Sequence, residues 1–597
     1  MALFTPSQSP AVVVKEIDAT GGVPNVQTST GAIVGNFRSG PIGQRVLISN
    51  EEDLVNTFGT PDTTNTIDFH NASSFLRYSN SLYVVRQATS AAKNAHATQY
   101  STAGRGPGAT GYATPSIDNK TIFDGNTSMD SDGQTFVARS RGTLGNSLKV
   151  SICPPDAGPS DDSSAWYDWA YASYFDAKPG SSVLDSARGG TNTEAHLVVV
   201  DEWGEISGTR GTVLETFPFV SVANNSKNAD GTSNYIKDLV NERSEYIYMV
   251  NFDSDHRGAK AGNALSFTVD DSNITFQAGL SAARNFTFDS GVASGTLATS
   301  DIATGHDLFE DVEAVEVDFL IAPGMSSDSD QVTVTNDLIA NAVARKDCIV
   351  VTSPSRTAVV GVTNETTATT NIVATSANIT KSDRCVMDGN YLKIYDKFND
   401  QYIHVPAAPS TAGLMAETDR VAAPWFSPAG TKRGQYLGVT SIDYNPNKTN
   451  RDTLYKAGIN PVVNMAGSGV VLYGDKTMFN RPSAFDRINV RRLFLTLERA
   501  IAQAAKNVMF EFNDEFTRAE FVNIIEPVLR DVKARRGITD FRVIADETVN
   551  TPEVIDRNEF IANIFIKPAR SINFVTLNFV AVRTGVSFEE VVGTAGV

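Results

Sequence analysis

Apolar and polar positions follow two rhythms along the chain, one helical and one strand-like, and both are clearest towards the C-terminal end. Val490, Leu493, Phe494, Leu497, Ile501 and Ala504 stand at i, i+3, i+4, i+7, i+11 and i+14. That spacing is one stripe of an amphipathic helix, with Arg491, Arg499, Gln503 and Lys506 on the other side. Residues 508–512 (VMFEF) predict a strand. A second helix is expected to open on a capping box of Thr517 and Glu520 and to bury Phe521, Ile524, Ile525, Val528 and Val532. It should kink at Pro527 and stop at Gly537. Strands are predicted at 539–545, 560–567 and 572–582. In the last of these Val575, Leu577, Phe579 and Ala581 alternate with Thr576 and Asn578, which gives one buried face.

Upstream the rhythm changes several times. Val12, Val13, Val14 and Ile17 form a short β-branched run set off by Pro10 on one side and Gly21-Gly22 on the other. Such a run reads either as an arm detached from its domain or as an ordinary edge strand. From Gly31 to Arg86 the pattern is strand, turn, strand, helix and strand. Residues 88–135 are rich in Ala, Gly, Ser and Thr and poor in large apolar side chains, so they read as a surface insertion. The stretch 136–152 (FVARSRGTLGNSLKVSI) resumes as strand. Over 196–350 strands such as HLVVVDEWG, VDFLIAPG and CIVVTSPS alternate with helical patterns, including 335–346, which predicts an open α/β sheet. A Thr-, Ala- and Asn-rich stretch at 362–380 reads as a loop. The division that follows is an arm (1–20), an α/β segment (21–87), an outer insertion (88–137), a middle α/β domain with loop insertions (138–450) and an α+β C-terminal domain (451–597).

A chain of 597 residues is too long for one core, and 41% hydrophobic with 20% charged residues is ordinary globular composition. No run approaches the ~18 to 20 apolar residues of a membrane span, so no membrane insertion is expected. The first residues lack the basic-then-apolar order of a signal peptide, which points to a protein made and kept in a cytoplasm, or in something assembled there. Cys153, Cys348 and Cys385 lie far apart and read as reduced, buried thiols. The formal charge of −18 argues against binding nucleic acid through its phosphates. That charge is uneven. Residues 451–597 hold 19 Lys+Arg against 18 Asp+Glu, leaving 31 against 50 for the rest of the chain's 50 and 68. An acidic front and a charge-balanced back suggest different surroundings.

Catalytic patterns are missing. No two of the six histidines (70, 96, 196, 256, 306, 404) lie within one helical turn, so HExxH zinc chemistry is absent. Gly467-Ser-Gly469 is no GxSxG elbow, because Ala466 and Val470 stand two residues either side of Ser468 where glycine is needed, and there is no GxxxxGK[ST] phosphate loop. The best calcium-loop candidate, beginning at Ser128, places Arg139 where the bidentate Glu belongs. No enzyme activity, metal or cofactor is expected. Arg491, Arg492, Arg535 and Arg536 are the densest basic spots, read either as solvated helix surface or as a contact to an acidic partner.

Ordered blocks carry a resemblance. PAVVVKEI (10–17), STGAIVGNFRSGPIG (29–43), VLISNEEDLVNTFG (46–59) and SLYVVR (81–86) open it, and GTVLETFPFVS with DGTSNYIKDLVN (211–241) continues it. VPAAPSTAGLMAETD (405–419), PWFSPAGTKRGQ (424–435), INPVV, VLYGDKT, FDRINVRRLF and IDRNEF…KPARSINFVTLNFVA (555–581) complete it. Together they resemble the contractile tail sheath proteins of T-even-like myophages over most of the chain, more weakly in 88–135 and 255–310. The resemblance implies a subtilisin-like α/β middle domain without its active site. It also implies a homo-oligomer of stacked hexameric rings around a tail tube, with baseplate and tail terminator proteins as further partners. The sheath would be assembled in the host cytoplasm, carried in the virion and contracted to drive the tube through the host envelope. Residues 1–20, through Val12, Val13, Val14 and Ile17, and the C-terminal strand, through Val575, Leu577, Phe579 and Ala581, would exchange between subunits. Arg491, Arg492, Arg535 and Arg536 become candidate tube contacts. The sheath of a non-viral injection device, of pyocin or type VI secretion type, is the alternative reading.

Overall fold

The computed structural model describes residues 29–98, 115–126, 134–153, 166–181, 183, 186, 193–221, 226–250 and 283–571. They fall into two compact units, one running to Pro424 and resuming over Pro428–Arg491, the other formed by Trp425–Ser427 and the residues from Arg492 onward.

The first unit is organised by a six-stranded sheet in the order Cys385–Met387, Ile349–Thr352, Phe319–Ile321, Gly31–Gly35, Leu82–Arg86 and Arg45–Ile48. The first five strands are parallel, and Arg45–Ile48 closes the edge antiparallel to Leu82–Arg86. Parallel strands covered on both faces read as continuous apolar runs, and GAIVG and IVVT are buried at every position. Alternate residues of Gly31–Gly35 serve different faces. Ala32 and Val34 join one core with Ile302, Val334, Leu338 and Ile372 from the helices Thr299–Asp307, Asp328–Arg345 and Glu365–Ala377. Gly31 and Gly35 face the helix Thr66–Leu76, where an added Cβ would sit 2.8 Å from Phe75 and 2.9 Å from Asp68. Only glycine permits that approach. It lets the Asp68 carboxylate accept the Asn36 N–H at 2.8 Å, while burial pushes its pKa up to about 6.

Two antiparallel sheets share a second core in the same unit. One runs Arg284–Thr287, Leu148–Cys153, Glu194–Asp201, Thr212–Ser221, and the other Asn94–Thr98, Gln134–Arg141, Ile247–Met249. This differs from the sequence reading in two ways. HLVVVDEWG belongs to an antiparallel sheet, and only the 319–321 and 349–352 strands enter the parallel one. The expected outer insertion at 88–137 is partly core. Ala95 and Ala97 are buried against Phe136, Val150 and Leu197, and Ile117 and Phe123 pack with Val137 and Tyr248. The small side chains that imitate a loop are what close packing requires, since a Cβ on Gly145 would lie 2.7 Å from Ala138 and 2.8 Å from Ala95.

Arg86 ties these layers together. It is 1% exposed, and its guanidinium donates to the carbonyls of Phe37 (2.8 Å), Gly40 (2.7 Å) and Arg141. One side chain at the end of a parallel strand thus holds the following turn of the first sheet and a strand of the second. Burial, with Arg141 nearby, lowers its pKa to about 9, still charged at neutral pH.

The stretch 362–380 is also corrected: it contains the helix Glu365–Ala377. Asn364 caps it, accepting from Thr366 N and Thr367 N at 2.9 and 3.1 Å. Its threonines are poor helix formers, yet Thr369, Thr370 and Thr375 return their hydroxyls to the carbonyls four residues back. Burial of Ala368 and Ile372 outweighs propensity here. The boundary expected at 450/451 falls instead at Arg491/Arg492, because Ile459, Val462, Leu472 and Met478 bury in cores they share with Met387, Tyr391 and Leu392.

Candidate assembly surface

In the C-terminal unit the helix Glu515–Ala534 packs on the strand Ile538–Ile544 and buries Phe521, Ile525, Leu529 and Val532. Leu529, rather than the expected Val528, completes its buried stripe. The helix starts earlier than the capping box suggests, because Asp514 is the N-cap and its carboxylate accepts Thr517 N at 2.8 Å. Helical structure continues through Pro527 to Ala534. The helix ends as Arg536 turns left-handed (φ 67°) and Gly537 N donates to Val532 O at 2.8 Å. Gly537 fits because a Cβ would sit 2.6 Å from Val532 and 3.0 Å from Trp425.

Of the four candidate arginines, two leave the surface. Arg491 and Arg492 are each 4% exposed. Arg491 lies 3.2 Å from Asp383 and stacks 5.0 Å over Phe485. Ile488, Arg491, Arg492 and Leu495 stand at i, i+3, i+4 and i+7 of the helix Ile488–Ala505 and are all buried, a second stripe beside that of Val490, Leu493 and Leu497. A buried arginine needs partners for its charge. Arg535 and Arg536 are exposed at the C-terminal end of Glu515–Ala534, beside Lys533, where cations meet the negative end of the helix dipole. Arg535 stacks 5.0 Å over Trp425 and lies 3.7 Å from Asp531, while its carbonyl accepts Trp425 Nε1–H at 3.1 Å.

Two further features mark this unit. Ile538–Ile544 and Asn563–Pro568 form an antiparallel sheet of two strands among the described residues, with a register shift between Ile538 and Asp540. A two-stranded sheet is marginal alone, and among the described residues no further strand pairs with either of its edges. The predicted strand 508–512 is not one. Lys506–Val508 is a 3-10 turn, and the chain then projects Met509, Phe510 and Phe512 outward at 58%, 102% and 84% exposure, with Phe516 at 76%. The β-branched and aromatic composition that predicts a strand finds no partner strand among the described residues. Val12, Val13, Val14 and Ile17, and Val575, Leu577, Phe579 and Ala581, lie outside the described residues.

All three cysteines are buried, and burial pushes the Cys348 and Cys385 thiols up to about 12. His196 is enclosed by Phe175, Trp166 and Phe219. It accepts Phe219 N–H on Nδ1 at 3.0 Å and donates from Nε2 to Ala177 O at 2.8 Å, and burial lowers its pKa. Ser353 donates to the fully buried Asp388 at 2.7 Å, and burial pushes that carboxyl up to about 7. Among the described residues no cluster of His, Cys, Asp and Glu could hold a metal ion, and no helix is long and apolar enough to cross a membrane.

The described residues define a multidomain chain of mixed α/β and α+β units, with large aromatics turned outward on the C-terminal unit. Two family profiles match: the phage tail sheath protein central domain over residues 298–478 and the phage tail sheath C-terminal domain over 480–581. The chain is 34% identical to the tail sheath protein of Enterobacteria phage T4, across 98% of this chain and 99% of that one. It is 30% identical to the tail sheath protein of Vibrio phage KVP40, with 98% and 99% covered. A crystal structure of a sheath tail protein from Listeria innocua shares the fold at a TM-score of 0.51 and 12% identity, covering 92% of this chain and 97% of that one. The chain belongs to the phage tail sheath family.

Proposed function

We propose that this chain polymerises as stacked hexameric rings around a tail tube and contracts to drive the tube through the host envelope. The observation that carries the proposal is the end-to-end likeness to tail sheath proteins of two phages at 34% and 30% identity. Subunits assemble in the host cytoplasm, meet baseplate and terminator proteins at the ends of the tail, and reside in the virion. In this reading the protein is not an enzyme, and its parallel sheet is taken as the core of a subtilisin-like domain whose chemistry is unused. The work of contraction comes from interfaces that improve between an assembled, metastable state and a contracted one. Neighbours are joined by arms. Residues 1–20 and the C-terminal strand add to the open edges of the Ile538–Ile544 and Asn563–Pro568 sheet of adjacent copies.

Arg535 and Arg536 face the tube in this reading, and Arg491 and Arg492, being buried, do not. Reversing Arg535→Glu and Arg536→Glu together should slow assembly templated by purified tube protein while leaving untemplated polymerisation unchanged. Raising salt should weaken the templated reaction of the unaltered chain. Equal effects on both reactions, or none on either, would rule out a tube-specific role.

A further inference from the structure

Four large apolar side chains exposed within eight positions, Met509 to Phe516, are more than an isolated soluble surface usually carries in one place. Phe510 has a left-handed backbone (φ 71°), a conformation uncommon for an aromatic residue, and it is wholly exposed. Glu511, Asp514 and Glu515 are interleaved with these apolar side chains in sequence and are also exposed, so the segment is both aromatic and acidic. Asp514 is already engaged as the helix cap, which leaves Glu511, between Phe510 and Phe512, as its central charge.

The first unit carries a cleft of complementary character and size. Tyr78, Leu414, Val421 and Leu437 form its apolar wall and Lys432 and Arg433 its basic side, with a volume of about 170 Å³. The wall is built rather than incidental, since the Tyr78 hydroxyl accepts Leu437 N–H at 2.7 Å. Glu417, the acidic residue of the lining, is held by the Arg420 guanidinium. Val421 and Leu437 remain 62% and 49% exposed. A cavity of about 150 Å³ accepts a benzene ring, so this cleft is of phenyl size.

We propose that the Phe510 knob of one copy docks in the Tyr78–Val421–Leu437 cleft of a second copy, with Glu511 against Lys432. The contact joins two different patches, so it is heterologous and repeats from copy to copy, the kind that generates rings and helical assemblies. The proposal deepens the sheath reading by naming one surface between subunits, and it rests on that reading.

The test uses full-length chains carrying Met509→Cys or Gln435→Cys, exposed positions beside the ring and the wall that leave both intact, one lengthened by a tag so that the mixed dimer has its own mobility. The native cysteines are buried, which keeps background oxidation low. Under mild oxidation the mixed pair should give about tenfold more disulfide-linked dimer than Met509→Cys mixed with Tyr402→Cys, a comparably exposed control, because docking raises the effective concentration of the two thiols. In the same Cys pair, Lys432→Glu should return the yield towards the control, and adding Glu511→Lys should restore it; melting curves exclude unfolding. Dimer at control level, or no restoration by the charge exchange, overturns the proposal. Should the unaltered protein never polymerise while the mixed dimer still forms, docking stands and the sheath reading falls. Polymerisation with cross-linking at control level has the opposite meaning.

Discussion

Deleting residues 1–20 is expected to leave a soluble, folded chain with a nearly unchanged melting temperature that no longer forms ordered tubes. The segment holds the β-branched run Val12, Val13, Val14 and Ile17, bounded by Pro10 and by Gly21-Gly22. Too short to be stable alone, it can satisfy its backbone by adding to a sheet. The two-stranded sheet Ile538–Ile544 and Asn563–Pro568 offers edges for that addition, and half-exposed Ile564 and Ile566 offer apolar cover. Ten extended residues reach about 33 Å, far enough to bridge to a neighbour and to stay attached while the bodies rotate. Val13→Pro should act like the deletion, because proline removes a ladder donor. Circular dichroism and electron microscopy on one preparation separate the outcomes. If the truncated chain is unfolded, the run is an internal strand and arm exchange is wrong.

The largest single-residue effect on stability is expected at Arg86. Arg86→Met keeps much of the volume but leaves the carbonyls of Phe37, Gly40 and Arg141 inside without their donor. Removing one side of a buried charged network typically costs about 3–5 kcal/mol, and each orphaned carbonyl carries its desolvation penalty. Arg86→Lys should recover little, since a single ammonium cannot reproduce the planar fork that reaches several carbonyls. Urea unfolding followed by tryptophan fluorescence and by circular dichroism reads the midpoint. A midpoint within experimental scatter of the unaltered chain would mean that the loop after Gly35 and the strand ending at Arg141 hold together without this side chain.

Much of the fold was legible where one periodicity dominates. The strands around Ala32, Val84, Leu320 and Val350 are short apolar runs bounded by turn residues, and the structure assembles all four into one parallel sheet. Legibility failed where tertiary burial overrides composition. Ala95, Ala97 and Gly145 look like loop residues until two sheets close on them. Thr369, Thr370 and Thr375 become helical by returning their hydroxyls to their own helix. Of the candidate surface, the exposed Arg535 and Arg536 could be read from their place after a long helix. The burial of Arg491 and Arg492 was readable too, since Ile488 and Leu495 flank them at helical spacing, but arginines on an amphipathic pattern are ordinarily assigned to water. Phe510 and Phe512 resisted, because a strand-like run and an exposed aromatic knob share one composition.

The central claim, that this chain is built to polymerise into a contractile sheath, is tested most directly by imaging the purified full-length protein. Negative-stain electron microscopy over a rising concentration series should show rings or tubes about 200 Å or more across, the size expected when six multidomain subunits surround a central tube. Monodisperse single chains at every concentration, with and without added tube protein, would contradict the account.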